Sequence, residues 1–228
     1  MKRLSFAMFI GIAFFMFFSC EKDPTSSKDT DTVTDIDGNT YQTVKIGEQW
    51  WMAENLKVTH YRNGAEIPNI TDNTAWSNLS TGAYCDYNND VNNVITYGRL
   101  YNWYAVNDSR NIAPTGWHVP TDAEWQTLVD YLGGESVAVG KMKEMGTTHW
   151  QTPNTGATNE SGFLALPGGY RYGSGACGYV GGSGYWWSAA ESSSYGAWGR
   201  GLSCNGSSVA RGYYDGKQGG FSVRCVGD

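Results

Sequence analysis

Gly116-Trp117-His118-Val119-Pro120-Thr121-Asp122-Ala123-Glu124-Trp125 is the stretch from which the fold reads outward. Thr121 followed three residues later by Glu124 is a capping box. The threonine oxygen accepts from the amide of the third helical residue, and the glutamate reaches back to the cap's own N–H. Trp125, Leu128, Val129 and Leu132 then recur at i, i+3, i+4 and i+7, the apolar stripe of a helix that Gly133 ends. Residues 136–145 predict a second short helix closed by Gly146.

On the N-terminal side, residues 33–52 predict a β-hairpin and its continuation. Asp37-Gly38-Asn39 is the turn, 41–46 a β-rich run ending at Gly47-Glu48, and 49–52 the next strand. Residues 62–93 are rich in Asn, Asp, Thr and Gly without a sustained period and predict a long structured loop. Residues 97–106 place Leu100, Trp103, Tyr104 and Ala105 in a helical pattern. On the C-terminal side glycine rises and helical periodicity disappears. Residues 185–188 predict a buried strand, Trp198, Arg200, Leu202 and Cys204 alternate, and Asn205-Gly206 turns the chain into a return strand over 207–213. A second turn at 215–220 leads to 221–226, expected to close the same sheet. The predicted fold class is α+β: short helices packed on an antiparallel sheet with long glycine-rich loops.

Composition narrows the function classes. Only 17% of residues are charged, 14% are aromatic and 30 are glycine, the profile of a turn-rich extracellular β-containing domain. The formal charge of -6 argues against nucleic acid as a partner. Met1-Lys2-Arg3 ahead of the apolar run 4–18 reads as a secretory signal, too short to span a bilayer comfortably. The other reading of that run is an uncleaved membrane anchor. Ser19-Cys20 is similar to a lipoprotein cleavage site, with Phe17 where leucine is usual. The expected organisation is a signal peptide over 1–19, a lipidated Cys20 with a polar tether over 20–32, and a folded domain over 33–228. Removing Lys2 and Arg3 takes the charge to -8. The expected location is extracytoplasmic: lipid-anchored to a bacterial membrane, with the outer membrane favoured and display at the cell surface compatible with it.

Cys85, Cys177, Cys204 and Cys225 remain, an even number that in an exported chain suggests two disulfides. No CxxC spacing points to zinc or to a redox motif. If 207–213 separates the strands of Cys204 and Cys225, those two lie about 10 Å apart, beyond disulfide reach. The expected pairs are therefore Cys177–Cys204 and Cys85–Cys225.

Six strings then coincide in order: 46–56, 97–103, 116–125, 166–171, 185–188 and 220–226. Together they resemble the Fibrobacter succinogenes major paralogous domain, a family of exported, often lipid-anchored bacterial proteins. The resemblance implies a C-type-lectin-like fold, distantly similar to formylglycine-generating sulfatase-modifying enzymes, through Val119-Pro120-Thr121 leading into Glu124-Trp125 and through the closing Gly220-Phe221-Ser222-Val223-Arg224. It implies no activity. Those enzymes use two closely spaced cysteines to bind copper, whereas Cys204 and Cys225 are far apart in sequence.

Candidate sites follow from residue types. Among His60, His118 and His149, His118 sits at the helix entry, where a hydrogen-bonding role outweighs acid–base work. No nucleophile elbow, zinc-protease motif or phosphate loop occurs, and no catalytic residue or cofactor is assigned. Asp86, Asn88 and Asp90 in one loop, and Asn159 and Glu160 in another, offer hard oxygen ligands that suit a structural calcium ion. The same residues are ordinary turn formers. Trp50, Trp51, Trp103, Trp125, Trp186 and Trp187 fall on predicted strands or helices and are expected in the core. Tyr172, Tyr179, Glu191, Tyr195, Asn205 and Tyr213 are the expected contacts of a surface set among Gly, Ser and Asn, similar in composition to an antibody paratope. The expected function is a non-catalytic, lipid-anchored envelope module that binds protein or glycan. The alternatives are a structural envelope component, and an oxidase similar to the formylglycine-generating enzymes.

Overall fold

A computed structural model describes Met1, residues 28–212 and residues 216–228. Residues 1–19, Cys20 and most of the expected tether lie outside this range, as does Tyr213, apart from Met1 at the first position. No helix of the described residues is long and apolar enough to cross a membrane.

The fold is α+β, with mostly antiparallel strands. β1 (Thr30–Thr34), β2 (Thr40–Ile46) and β3 (Gln49–Met52) form the expected hairpin and its continuation. They join β6 (Trp117–His118) and β12 (Val226–Gly227) in a sheet of order β1-β2-β3-β12-β6. β1 begins three residues before Val33, and Lys45 N–H already donates to the Asp29 carbonyl. The expected tether boundary was thus too late. An edge strand held mainly by its backbone ladder carries no apolar pattern to announce it.

The second sheet has the order β11-β10-β9-β7-β8. It is built from β7 (Gly168–Arg171), β8 (Cys177–Val180), β9 (Ser183–Glu191), β10 (Ala197–Ser203) and β11 (Ala210–Gly212). β7 and β9 run parallel and meet at Gly169 and Gly184. A Cβ on Gly184 would lie 2.5 Å from the Trp186 ring and 2.6 Å from the Leu166 carbonyl, so that crossing has no room for a side chain.

The capping box is present as read. Thr121 Oγ1 accepts from Glu124 N–H, and Glu124 accepts from Thr121 N–H, at the start of α4 (Asp122–Tyr131). Gly133 follows at φ 107°. α5 (Glu135–Met142) ends before Gly146. The 97–106 helix is not one element. α2 (Asn92–Tyr97) stops at Gly98 (φ 72°), the short strand β5 (Leu100–Tyr101) pairs with β4 (Tyr84–Cys85), and Asn102 caps α3 (Trp103–Val106) anew. The loop expected over 62–93 also holds α1 (Asn73–Ser77).

Two large apolar clusters share these sheets. Period-2 alternation sends Trp51 and Trp186 into one, with Trp125, Leu128 and Phe163, and their neighbours Met52 and Trp187 into the other, with Tyr101, Phe221 and Val223. Residues 221–226 do not close the late meander as expected; they cross between the sheets. Trp187 N–H donates to the Ser222 carbonyl on the second sheet, Met52 N–H donates to the Cys225 carbonyl on the first, and Val226 pairs with Trp51. Arg224, 1% exposed, fixes this crossover. Its guanidinium donates to the Phe163 and Leu164 carbonyls and to Asn55 Oδ1.

That route corrects the disulfides. All four cysteines among the described residues are free thiols, and neither Cys177–Cys204 nor Cys85–Cys225 is formed. Cys85 lies in a third, small cluster against which Cys177 packs, Cys204 packs against the α4 cluster, and Cys225 is buried with Tyr101 and Phe221. Burial pushes the Cys85 thiol up to about 12, which makes it a poor nucleophile.

Candidate functional site

The β7–β8 hairpin carries the most unusual surface. Tyr170 and Tyr172 stand two residues apart at the end of β7, Tyr179 projects from β8, and Tyr185 lies on β9. Tyr170 is the centre: its ring centroid is 4.6 Å from Tyr172, 4.9 Å from Tyr185 and 5.6 Å from Tyr179, the last stacked at 13°. Behind it, Tyr170 meets Phe221 edge-on at 5.7 Å, and Phe221 stacks on buried Trp187 at 4.2 Å. A continuous aromatic column therefore runs from the core to Tyr179, which is 56% exposed.

Tyr179 also has φ 67°. It lies between the ladder pairs Gly168–Val180 and Tyr170–Gly178, opposite Gly169, whose φ is 65°. A left-handed backbone costs an L-residue roughly 1–2 kcal/mol. A bulky residue there is an outlier of the sort that clusters at functional positions. The hydrogen bond with Tyr172 holds the Tyr179 phenol above its ordinary pKa.

Among the other expected contacts, Glu191 forms an ion pair with Lys217, whose ammonium also lies 4.9 Å over the Trp103 ring. Tyr195, 84% exposed, sits at the tip between β9 and β10, where its carbonyl accepts from Lys217 N–H. Asn205 accepts from Ser203 Oγ at the opposite end of that hairpin, since Ser203 pairs with Ser183 and Ala197 with Glu191. The structure thus joins Tyr172 to Tyr179, groups Glu191 with Tyr195, and leaves Asn205 apart. Tyr170 and Tyr185 are not among the expected contacts, and Tyr185 belongs to a strand expected to be buried. The i, i+2 spacing of Tyr170 and Tyr172 was the signal that both lie on one face.

Several of the oxygens expected to suit calcium already have partners in the protein. Arg99 binds Asp86 Oδ1, and Asn92 donates twice to Asp90 Oδ1. Asn88 is at φ 54° and its N–H donates to Cys177 Sγ. Asn159 Oδ1 accepts from Leu164 N–H, and Glu160 lies 3.6 Å from Lys141. Among the described residues no three His, Cys, Asp or Glu side chains gather in a metal-holding group. A cavity of about 620 Å³ is polar and lined by Lys28, Lys45 and Lys141 with Asp29 and Glu160.

His118 is the hydrogen-bonding residue expected at the helix entry. Nδ1 is 2.6 Å from Asp228 Oδ1 and Nε2 is 2.8 Å from Glu124 Oε1, so one imidazole ties α4 to the segment after β12. Burial alone would lower its pKa. The two carboxylates outweigh burial and hold it above the ordinary imidazole value.

Fold and site together define a mixed α+β domain that presents an aromatic face on its second sheet. A model of the Fibrobacter succinogenes major domain matches residues 44–227, and the chain belongs to that family. Neither a curated protein nor a solved structure matches the chain.

Proposed function

We propose that the protein is a non-catalytic recognition module, built on a C-type-lectin-like scaffold and held at the bacterial envelope by a lipid on Cys20. The tyrosine face of β7, β8 and β9 is its contact surface for an extracellular protein or glycan. The observation that carries this reading is Tyr179: an exposed ring, on a backbone that disfavours it, braced by an aromatic column rooted in the core. Rigid aromatics set among Gly and Ser bind at low entropic cost. The positions of Cys204 and Cys225 against different clusters favour this reading over an oxidase with paired thiols.

The test is binding of the full chain to a glycan array and to envelope-extract proteins. Tyr179→Ala and Tyr172→Ala are each expected to weaken the strongest partner at least tenfold, about 1.4 kcal/mol. Unchanged binding by both variants would place the contact elsewhere.

A further inference from the structure

Three tryptophans of the described chain are not buried: Trp50, Trp117 and Trp198. The Arg211 guanidinium covers Trp198 at 3.7 Å. Trp50 and Trp117 are half-buried, and among the described residues neither ring stacks on another aromatic ring and neither indole N–H has an acceptor. Trp50 was expected in the core.

Their placement follows from the ladder of the first sheet. β3, β12 and β6 are neighbours, Gly227 pairs with Trp117, and Val226 pairs with Trp51. Trp50, Gly227 and Trp117 therefore share a face, with the glycine between the two indoles. A Cβ on Gly227 would lie 3.3 Å from Trp50 Cβ and 3.9 Å from the Trp117 ring. Its absence keeps open a groove of about 270 Å³, which Thr43, Asp31 and Asp228 also line.

Thr43 supplies the second observation. It is 1% exposed, and its Oγ1 has no hydrogen-bond partner among the described residues. A buried hydroxyl left unpaired costs about 1–3 kcal/mol and calls for an explanation. Asp31 uses one carboxylate oxygen on Thr32 N–H, and the other has no described partner. Asp228 is held by His118.

We infer that this groove is a carbohydrate subsite for a neutral pyranose chain. A pyranose ring offers C–H faces to the two indoles and hydroxyls to Thr43, Asp31 and the indole N–H groups. The bordering carboxylates and the net charge of -6 disfavour acidic glycans. A proline-rich peptide also fits between aromatic rings, but its rings bring no hydroxyl for Thr43 or Asp31. The site lies on the first sheet and does not rest on the tyrosine face.

The experiment is calorimetric titration of the full chain with gluco-, xylo- and manno-hexaoses and with a proline-rich decapeptide. At least one hexaose is expected to bind saturably. Trp117→Ala should then weaken it tenfold or more, and Gly227→Ala, which fills the slot without removing an indole, should do the same. Thr43→Val keeps the shape and removes only the hydroxyl. It is expected to weaken sugar binding several-fold while leaving the thermal midpoint unchanged or higher, an outcome a purely structural threonine would not produce. Tyr179→Ala should leave hexaose binding intact, which separates this site from the tyrosine face. Silence with all three sugars, hexaose binding indifferent to Trp117→Ala and Gly227→Ala, or binding of the decapeptide alone would overturn the inference.

Discussion

Tyr179 holds a large side chain on a backbone that normally selects glycine, so two substitutions there separate strain from contact. Tyr179→Ala loses the ring stacked on Tyr170 and keeps the Cβ at φ 67°. Tyr179→Gly loses the same ring and also relieves the backbone. The glycine variant should be the more stable of the two by about 1 kcal/mol, read as the difference in urea midpoint; an alanine variant of equal or greater stability would show that no strain is stored. The paratope-like composition of the late loops made Tyr172 and Tyr179 legible, because surface tyrosines among Gly and Ser have little core to join. The positive φ was not legible, since it arises from the β7–β8 ladder opposite Gly169. Trp50 failed for a related reason. Strand membership decides which face a side chain takes, but not whether anything covers that end of the sheet.

Elements with their own local code were read well. The capping box of α4 is specified within four residues, and the hairpin at 37–39 by its turn residues. Residues 97–106 were read as one helix because the apolar spacing continues through Gly98, where the conformation and the pairing of β5 with β4 break it. His118 joins two such elements, and its raised pKa gives the joint a pH dependence. A group protonated more readily in the folded state stabilises the fold fully below its unfolded pKa, about 6.5, and loses that contribution as pH rises through the folded value. His118→Gln should therefore lower the thermal midpoint most near pH 5–6 and least above pH 8. With the ring a third exposed, the effect should be about 1 kcal/mol or less. A penalty independent of pH across that range would mean that packing, not the charged hydrogen bonds, is what the imidazole supplies.

At the scale of the whole molecule, the two sheets are joined by residues 221–226, and this long-range route was the least legible feature. Nothing local says that a β-rich segment changes sheets, and the expected disulfides fell with the expected meander. Arg224 fixes the crossover to the loop at Phe163 and Leu164. Arg224→Met removes its hydrogen bonds and leaves buried carbonyls unpaired, so a loss of about 3 kcal/mol or more is expected, read as a thermal midpoint lower by roughly 6–12 °C. A loss below about 1 kcal/mol would mean that the crossover is held by its apolar neighbours alone. The same architecture sets where the molecule yields under force. Any pull on the chain ahead of Lys28 is transmitted first to β1, an edge strand whose ladder runs from Thr30–Val44 to Thr34–Thr40 and whose side chains are largely exposed. Peeling it away releases about 17 Å of chain and carries Asp31 out of the tryptophan groove, while the strands behind it keep their pairing. Tension and the groove's chemistry are thus mechanically linked through five residues.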